Sequence, residues 1–173
     1  RLDYDQKIRY IKIDLEESLS FGDLDDLLVK MKLLTANGTI GIDIYLDGDS
    51  DGKWSSKSPN DVKLYARPGD WGKRGWLIDQ WTDLDAFDFI YKKSGGSSSE
   101  DMGLADWQEE LGGNLEVVQI YIRLYVTGHG ICLFDYFNIN DMVLSFEPNE
   151  GPYEKEGKPK KISQGSKITY TIT

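Results

Sequence analysis

The stretch Ile40-Gly41-Ile42-Asp43-Ile44-Tyr45-Leu46 alternates branched apolar residues with small or polar ones. Such a period of two predicts a β-strand that buries one face and turns the other outward. The same alternation recurs at 11–15, 29–33, 62–66, 87–89, 118–126, 131–133 and 143–146. Turn-forming pairs separate these runs, among them Asn37-Gly38, Pro68-Gly69 and Gly112-Gly113. The sequence therefore predicts an all-β fold, a jelly-roll β-sandwich of two antiparallel sheets.

The chain divides into one large and two small parts. Residues 1–147 are expected to form the sandwich, with a short helix over 104–111 as its one helical stretch. Residues 148–166 are rich in Pro, Gly, Lys and Glu, which is typical of a linker. Residues 167–173 (KITYTIT) alternate again and predict a terminal strand. That strand must pair with its own sheet, a following domain or a neighbouring copy.

The charge of the chain argues against two classes of partner. Thirty acidic residues against twenty basic ones give a net charge of −10. Such a surface repels phosphate backbones and anionic lipid, so we expect no nucleic acid partner. No stretch approaches the roughly 20 apolar residues of a membrane span, so we expect no membrane insertion. The chain opens at Arg1 without a signal-peptide core, which suggests a processed product or a piece of a longer protein.

A run of alternating carboxylates follows the strand at 40–46. Asp47, Asp49 and Asp51 stand at alternate positions and Gly52 comes next, as in the opening of a calcium loop. Calcium prefers six to eight oxygen ligands, and alternate carboxylates in a tight turn converge on one point. The sequence therefore predicts calcium as a bound ion at this turn.

The rest of the calcium shell is open at the level of sequence. The twelfth position of the pattern is Ser58 instead of the usual glutamate, so Asn60 or Asp61 is expected to complete the shell. The alternative is a solvated acidic turn. A G-x-S-x-G match around Ser50 does not indicate a hydrolase, because Pro59 and several serines follow where that motif needs a helix.

Residues for catalysis are scarce. His129 is the only histidine and lies in a Gly-His-Gly turn, and Cys132 is the only cysteine, within an apolar run that predicts a buried thiol. With one histidine and one cysteine, we expect neither a transition-metal cluster nor a catalytic Cys-His pair. No glutamate is followed two residues later by aspartate, as jelly-roll glucanases generally require. We therefore expect a non-enzyme.

The polar sides of three predicted strands mix aromatic rings with long hydrogen-bonding side chains. The members of this set are Asp43, Tyr45, Tyr65, Arg67, Gln119, Tyr121, Arg123 and Tyr125. Rings stack on the apolar faces of sugars while polar groups bind the hydroxyls, so the set predicts a polysaccharide-binding face. Four tryptophans in adjoining segments are expected to rim it, namely Trp54, Trp71, Trp76 and Trp81. The alternative is that tyrosines simply favour strands and cover the sheet.

Three stretches carry a family resemblance. They are 22–27 (GDLDDL), 42–52 (IDIYLDGDSDG) and 134–141 (FDYFNIND). On these, the chain over roughly residues 8–147 resembles the jelly-roll carbohydrate-binding-like modules of large secreted and cell-surface proteins. The resemblance implies that Asp135 binds a structural calcium near the chain termini, with Asp3 or Asp5 as a partner. Together with the glycosylation sequon at Asn37, it implies a secreted or cell-surface protein.

Two functions follow as expectations. The first is a non-catalytic, calcium-stabilised module that binds polysaccharide or another glycan on the aromatic face. The second is a structural subunit of an extracellular filament or surface layer, in which the strand at 167–173 is donated to another copy of the chain.

Overall fold

The computed structural model describes residues 2–5, 9–34, 38–66, 79–94, 101–126, 129–140, 142–145 and 168–172. These residues form mainly strands. In chain order the elements are β1 (Leu2–Asp5), β2 (Arg9–Ser20), β3 (Leu27–Leu33), β4 (Gly38–Asp47), β5 (Val62–Ala66), β6 (Trp81–Asp85), β7 (Ile90–Lys93), β8 (Met102–Gly103), α1 (Leu104–Leu111), β9 (Glu116–Val126), β10 (His129–Ile139), β11 (Met142–Ser145) and β12 (Ile168–Ile172). Single 3₁₀ turns at Phe21–Asp23 and Ala86–Asp88 complete the set.

The strands form two antiparallel sheets. The five-stranded sheet has the order β1-β10-β3-β6, with β11 also paired to β10. The seven-stranded sheet has the order β12-β2-β9-β4-β5-β7-β8. The predicted all-β sandwich of two antiparallel sheets is thereby confirmed, while its jelly-roll connectivity stays a prediction.

The alternation in the sequence accounts for the core between the sheets. Ile40, Ile42 and Ile44 on β4 have no exposed surface and belong to one apolar cluster with Val29 and Met31 of β3. Complete burial of such a side chain contributes about 1.5–3 kcal/mol. One finding departs from the pattern, because the intervening positions of β4 are buried as well. The outer face of the seven-stranded sheet is therefore covered at this strand.

The helix lies where the sequence predicts it and ties distant parts together. On α1, the indole N–H of Trp107 donates to the carbonyl O of Tyr91 at 3.0 Å. The side-chain amide of Gln108 donates to the carbonyls of Phe21 and Leu24 at 2.6 and 2.8 Å. These bonds connect α1 to β7 and to the turn that follows β2.

Two of the stretches behind the family resemblance contact each other. The side-chain oxygen of Asn140 accepts the N–H groups of Asp25 and Asp26 at 2.9 and 3.0 Å, and its amide donates to the carbonyl of Asp23 at 2.7 Å. The amide of Asn138 donates to the carboxylate of Asp26. Asn140 has a φ of 41°, a left-handed conformation that asparagine tolerates better than most residues. The end of β10 thereby fixes the turn before β3.

The ends of the chain complete both sheets. β12 pairs antiparallel with β2, from Ile168 opposite Leu15 to Ile172 opposite Ile11. The predicted linker at 148–166 lies outside the described residues.

Cys132 is a free, buried thiol, and burial raises its pKa to about 12. Within the described ranges, no helix has the length and apolarity required to cross a membrane.

Candidate functional site

Three carboxylates converge in the acidic loop, which we define as residues 47–61. Oxygen atoms of Asp47, Asp49 and Asp61 lie within 4.8 Å of one another. The register of the sheet explains the approach, because Leu46 at the end of β4 pairs with Val62 at the start of β5. The residues next to this pair must therefore meet at the mouth of the loop. The arrangement is one that could hold a metal ion, with a buried, an exposed and a half-buried carboxylate.

Asp47 is held as a carboxylate by backbone donors. Its Oδ1 accepts the N–H groups of Asp49 and Ser50 at 3.0 and 2.8 Å, and its Oδ2 accepts the N–H of Gly52 at 2.6 Å. The residue is only 1% exposed. Burial acts to raise the pKa of Asp47, but these hydrogen bonds outweigh burial and lower the pKa below its ordinary value. The donors that stabilise the charge of Asp47 here are backbone N–H groups, not basic side chains.

The other two carboxylates are also positioned within the loop. Asp61 accepts the N–H of Gly48 through Oδ1 at 3.2 Å and the N–H of Ser55 through Oδ2 at 2.6 Å. The hydroxyl of Ser58 donates to Oδ2 of Asp49 at 3.0 Å. These bonds orient the oxygens before any ion arrives, so less ordering entropy is lost on binding.

Glycine at position 48 is required by a close approach of two backbone segments. A Cβ atom at Gly48 would overlap the main-chain carbonyl of Asn60 and lie 3.0 Å from a methyl group of Leu115. Gly52 is needed for a different reason, because its φ of 77° lies in the left-handed region. The first glycine closes the loop and the second turns the chain.

Two of the predicted metal ligands, Asp51 and Asp135, lie apart from the converging carboxylates, and their role as ligands stays a prediction. The carboxylate of Asp51 accepts the N–H of Lys53 at 2.8 Å within its own turn, and Asp51 is not one of the three converging residues. Asp135 lies on β10 in the other sheet, with its carboxylate 3.6 Å from Nζ of Lys30. Among the described residues, Asp47, Asp49 and Asp61 are the group of three or more potential ligands that comes this close. Alternation in sequence thus selected Asp51, which the turn uses locally.

Two residues of the predicted polysaccharide-binding face, Asp43 and Tyr45, are buried. Asp43 on β4 has no exposed surface, and its Oδ2 lies 2.6 Å from Nε of Arg123 and 2.8 Å from Nζ of Lys63. Burial acts to lower the pKa of Arg123, but the charge of Asp43 outweighs it and raises the pKa. Asp43 is therefore the centre of a buried ion-pair group, and its contact with a ligand stays a prediction.

Tyr45 belongs to the same group. Its hydroxyl accepts a hydrogen bond from Nη2 of Arg123 at 3.1 Å and donates to Oδ2 of Asp43 at 3.5 Å. The ammonium of Lys63 lies 4.9 Å from the centre of the Tyr45 ring. Because Tyr45 is only 6% exposed, it supports the face from below and is not available for stacking.

A row of aromatic rings crosses the outer face over this group. The ring of Tyr121 lies 5.1 Å from that of Tyr10 and 4.9 Å from that of Tyr45, which in turn lies 4.7 Å from Trp54. The guanidinium of Arg123 lies 5.0 Å from the centre of the Tyr121 ring. Burial raises the pKa of Tyr121. We use the name aromatic row for the two outer rings, Tyr10 and Tyr121, together with the guanidinium of Arg123 that lies over them. Tyr10 was not predicted as a site residue, although it alternates with the apolar residues of β2.

The remaining predicted residues are distributed more widely. Tyr65 on β5 and Gln119 on β9 are half-buried on the seven-stranded sheet. Trp81 is 47% exposed and belongs to β6 of the other sheet, so it does not rim the aromatic row. The side chains outside the described part are those of Asn37, Arg67, Trp71, Trp76 and Tyr125.

A cleft of about 460 Å³ lies between the acidic loop and the strands β5 and β7. Its lining includes Trp54, Ser55, Ser58, Asp61, Lys63 and Lys93. Asp61 thus belongs both to the converging carboxylates and to the wall of the cleft. Lys63 likewise belongs to the cleft and to the ion-pair group of Asp43.

No protein-family model matches this chain, and no match is found among the curated proteins or the solved structures. The resemblance to carbohydrate-binding-like modules therefore stays a prediction that rests on short motifs.

Proposed function

We propose that this chain is a non-catalytic, extracellular module that is stabilised by calcium and binds polysaccharide on the outer face of its seven-stranded sheet. The observation that carries the proposal is the aromatic row of Tyr10, Tyr121 and Arg123 beside the cleft. Tyrosine rings offer flat apolar surfaces for the C–H faces of a sugar. The guanidinium of Arg123, which lies over both rings, is a group of the kind that donates to sugar hydroxyls.

Calcium is the ion that suits the three carboxylates of Asp47, Asp49 and Asp61. Carboxylate oxygens are hard ligands, which favours calcium or magnesium over softer metals. Calcium–oxygen distances of about 2.3–2.6 Å place ligand atoms on opposite sides of the ion about 5 Å apart, so a group within 4.8 Å of itself fits around one ion. Magnesium prefers shorter bonds and a stricter octahedron.

The proposed absence of catalysis is supported by how the nearby carboxylates are used. Asp43 is paired with two cations, and Asp47 and Asp61 accept backbone hydrogen bonds. A glycosidase needs one carboxyl group that keeps a proton and a second that attacks or activates water. Asp43 in addition has no exposed surface through which it could reach a sugar.

The experiment is a glycan panel probed with the purified chain in calcium, followed by calorimetry. Tyr121→Ala should weaken the best ligand by about tenfold, since loss of a stacked ring removes of the order of 1.4 kcal/mol. Tyr136→Ala is the matched control, because Tyr136 is a half-buried tyrosine on the other sheet and should leave binding unchanged. The proposal is contradicted when the wild type binds no glycan, or when both variants behave alike.

A second candidate function rests on the position of β12. β12 is the edge strand of the seven-stranded sheet and contacts it by pairing with β2. Residues 146–167 separate it from β11 and reach about 70 Å when fully extended. The same pairing is therefore available to β12 of a neighbouring copy, which would assemble a filament or surface layer by strand donation.

Deletion of residues 167–173 separates the two uses of β12. Strand donation predicts a loss of assembly in light scattering with unchanged unfolding free energy of the monomer. Folding back onto its own sheet predicts a monomer destabilised by about 1.5–3 kcal/mol for each apolar side chain that loses its burial. The latter result, or no change in either quantity, contradicts the filament.

A further inference from the structure

The cleft beside the acidic loop has the size and lining of a small-ligand site. Its volume of about 460 Å³ falls in the range of about 300–1,000 Å³ typical of such sites. Trp54 supplies an aromatic wall, and Ser55 and Ser58 supply hydroxyl groups. An aromatic wall with nearby hydroxyls suits a sugar ring, which has an apolar face and a polar edge.

One wall of the cleft is cationic, although the protein is strongly acidic overall. Lys93 is exposed, and among the described residues no carboxylate lies within ion-pair distance of it. Lys63 shares the single carboxylate of Asp43 with Arg123, so these three groups carry two positive charges against one negative. A net positive wall in a chain of net charge −10 favours an anionic ligand at this place.

The opposite wall carries negative charge that a metal ion would reduce. Asp61 lines the cleft and is one of the three converging carboxylates. Without an ion, Asp47, Asp49 and Asp61 together repel an anion in the cleft. A divalent cation reduces their three negative charges to one, and its field reaches the cleft within a Debye length of about 10 Å.

We propose that this cleft binds a sugar residue that bears a carboxylate, and that binding requires the divalent ion at Asp47, Asp49 and Asp61. The sugar carboxylate faces Lys93 and Lys63, and its ring lies on Trp54. The proposal rests on the proposed polysaccharide-binding function and specifies its ligand class and its dependence on metal. By linkage, the acidic sugar also tightens the binding of the ion by the same factor.

Two sugars that differ only at carbon 6 test the charge requirement. Methyl β-glucuronide and methyl β-glucoside are titrated into the whole chain and followed by NMR, once in calcium and once in chelator. We expect the glucuronide to bind at least tenfold more tightly than the glucoside in calcium, and to lose at least tenfold in chelator. Equal affinity of the two sugars, or equal affinity for the glucuronide with and without calcium, overturns the proposal.

Adjacent lysines on β7 supply a matched pair of variants. Lys93→Gln should weaken the glucuronide about tenfold, because Lys93 lines the cleft. Lys92→Gln removes the same charge one residue away, where Lys92 lies 3.7 Å from Asp101, and should leave binding unchanged. Equal effects of the two variants overturn the proposal.

The same variants separate this proposal from the proposed function. An acidic glycan of the panel that loses affinity with Tyr121→Ala but not with Lys93→Gln leaves the proposed function standing and contradicts the cleft proposal. Loss of affinity for an acidic glycan with Lys93→Gln, but not with Lys92→Gln, supports both.

Discussion

Two aspartates on the same strand, Asp43 and Asp47, are both buried and are stabilised in opposite ways. Asp43, in the middle of β4, is paired with the cations of Arg123 and Lys63. Asp47, at the end of β4, accepts three backbone N–H groups. The charge of Asp43 is already balanced by side chains, whereas no basic side chain in the described ranges pairs with Asp47. A cation can therefore bind at Asp47, whereas Asp43 is already paired with two cations.

The comparison shows what decides whether a carboxylate on a strand becomes a site. Alternation places Asp43 and Asp47 on the same side of β4, away from the core. Cations from the neighbouring strands close the face over Asp43, but at Asp47 the strand ends and the chain turns back on itself. Asp49 and Asp61 then add further negative charge instead of positive charge. The neighbours of a carboxylate, more than its position in the pattern, separate a structural ion pair from a metal site.

The largest loss of stability should come from removing the carboxylate of Asp43 from its ion-pair group. Asp43→Ala leaves Arg123 and Lys63 without their shared carboxylate, and breaking a buried pair costs about 3–5 kcal/mol. The two cations keep 18% and 16% exposure, so we expect about 3 kcal/mol, at the low end. Chemical denaturation of the variant and the wild type measures this difference.

Asp14→Ala is the matched control for that substitution. Asp14 lies 2.7 Å from Nζ of Lys12, and both side chains are partly exposed. An exposed pair contributes at most about 1 kcal/mol. If the two variants lose the same stability, the ion-pair group around Asp43 is not a buried centre. If Asp43→Ala instead weakens glycan binding at unchanged stability, the carboxylate contacts the ligand after all.

Calcium should produce the next largest change in stability, by binding near Asp47 at the end of β4. At a hundredfold excess over the dissociation constant, a bound ion stabilises the fold by about 2.7 kcal/mol. For a chain of this size that corresponds to a rise of about 5–10 °C in Tm. Thermal melts in calcium and in chelator should therefore differ, and identical midpoints contradict the calcium proposal.

Two exposed aspartates of the acidic loop make this test specific. Asp49→Asn removes a charge from the converging group and should abolish most of the calcium response. Asp51→Asn removes the same charge two residues later, where the carboxylate bonds to its own turn, and should leave the response intact. The reverse result would show that Asp51 binds the ion, as the alternation in the sequence predicts.

The sequence predicts the fold well where burial follows a period of two. Ile40, Ile42 and Ile44 are recognisable as core residues because each is separated from the next by one outward position. The order of strands in each sheet is not predictable in this way. β10, for example, lies between β1 and β3, and that placement depends on pairing between residues about a hundred positions apart.

The site is predictable only where it is local. Asp47 and Asp49 follow from their spacing, and Asp61 follows once the β4–β5 pairing is known, since Leu46 pairs with Val62. The burial of Asp43 depends on Arg123, which lies 80 residues away in the chain. A pattern within one strand carries no information about such a partner, so the closed centre of the face could not be anticipated.

The smallest effect that we expect is the pH dependence contributed by Asp47. Burial raises the pKa of this carboxyl, but the backbone hydrogen bonds outweigh it and hold the folded-state pKa below the ordinary value of 3.8. The unfolded chain therefore takes up the proton more readily than the folded chain. Asp47 contributes stability that is fully present above about pH 4 and is lost as the pH falls through the folded-state pKa.

Asp47→Asn keeps the shape of the side chain but cannot titrate. In chelator, the unfolding free energy of the wild type should fall more steeply than that of the variant below about pH 4. Parallel curves would show that the backbone donors do not favour the charged form, and Asp47 would then differ from Asp43 in position alone.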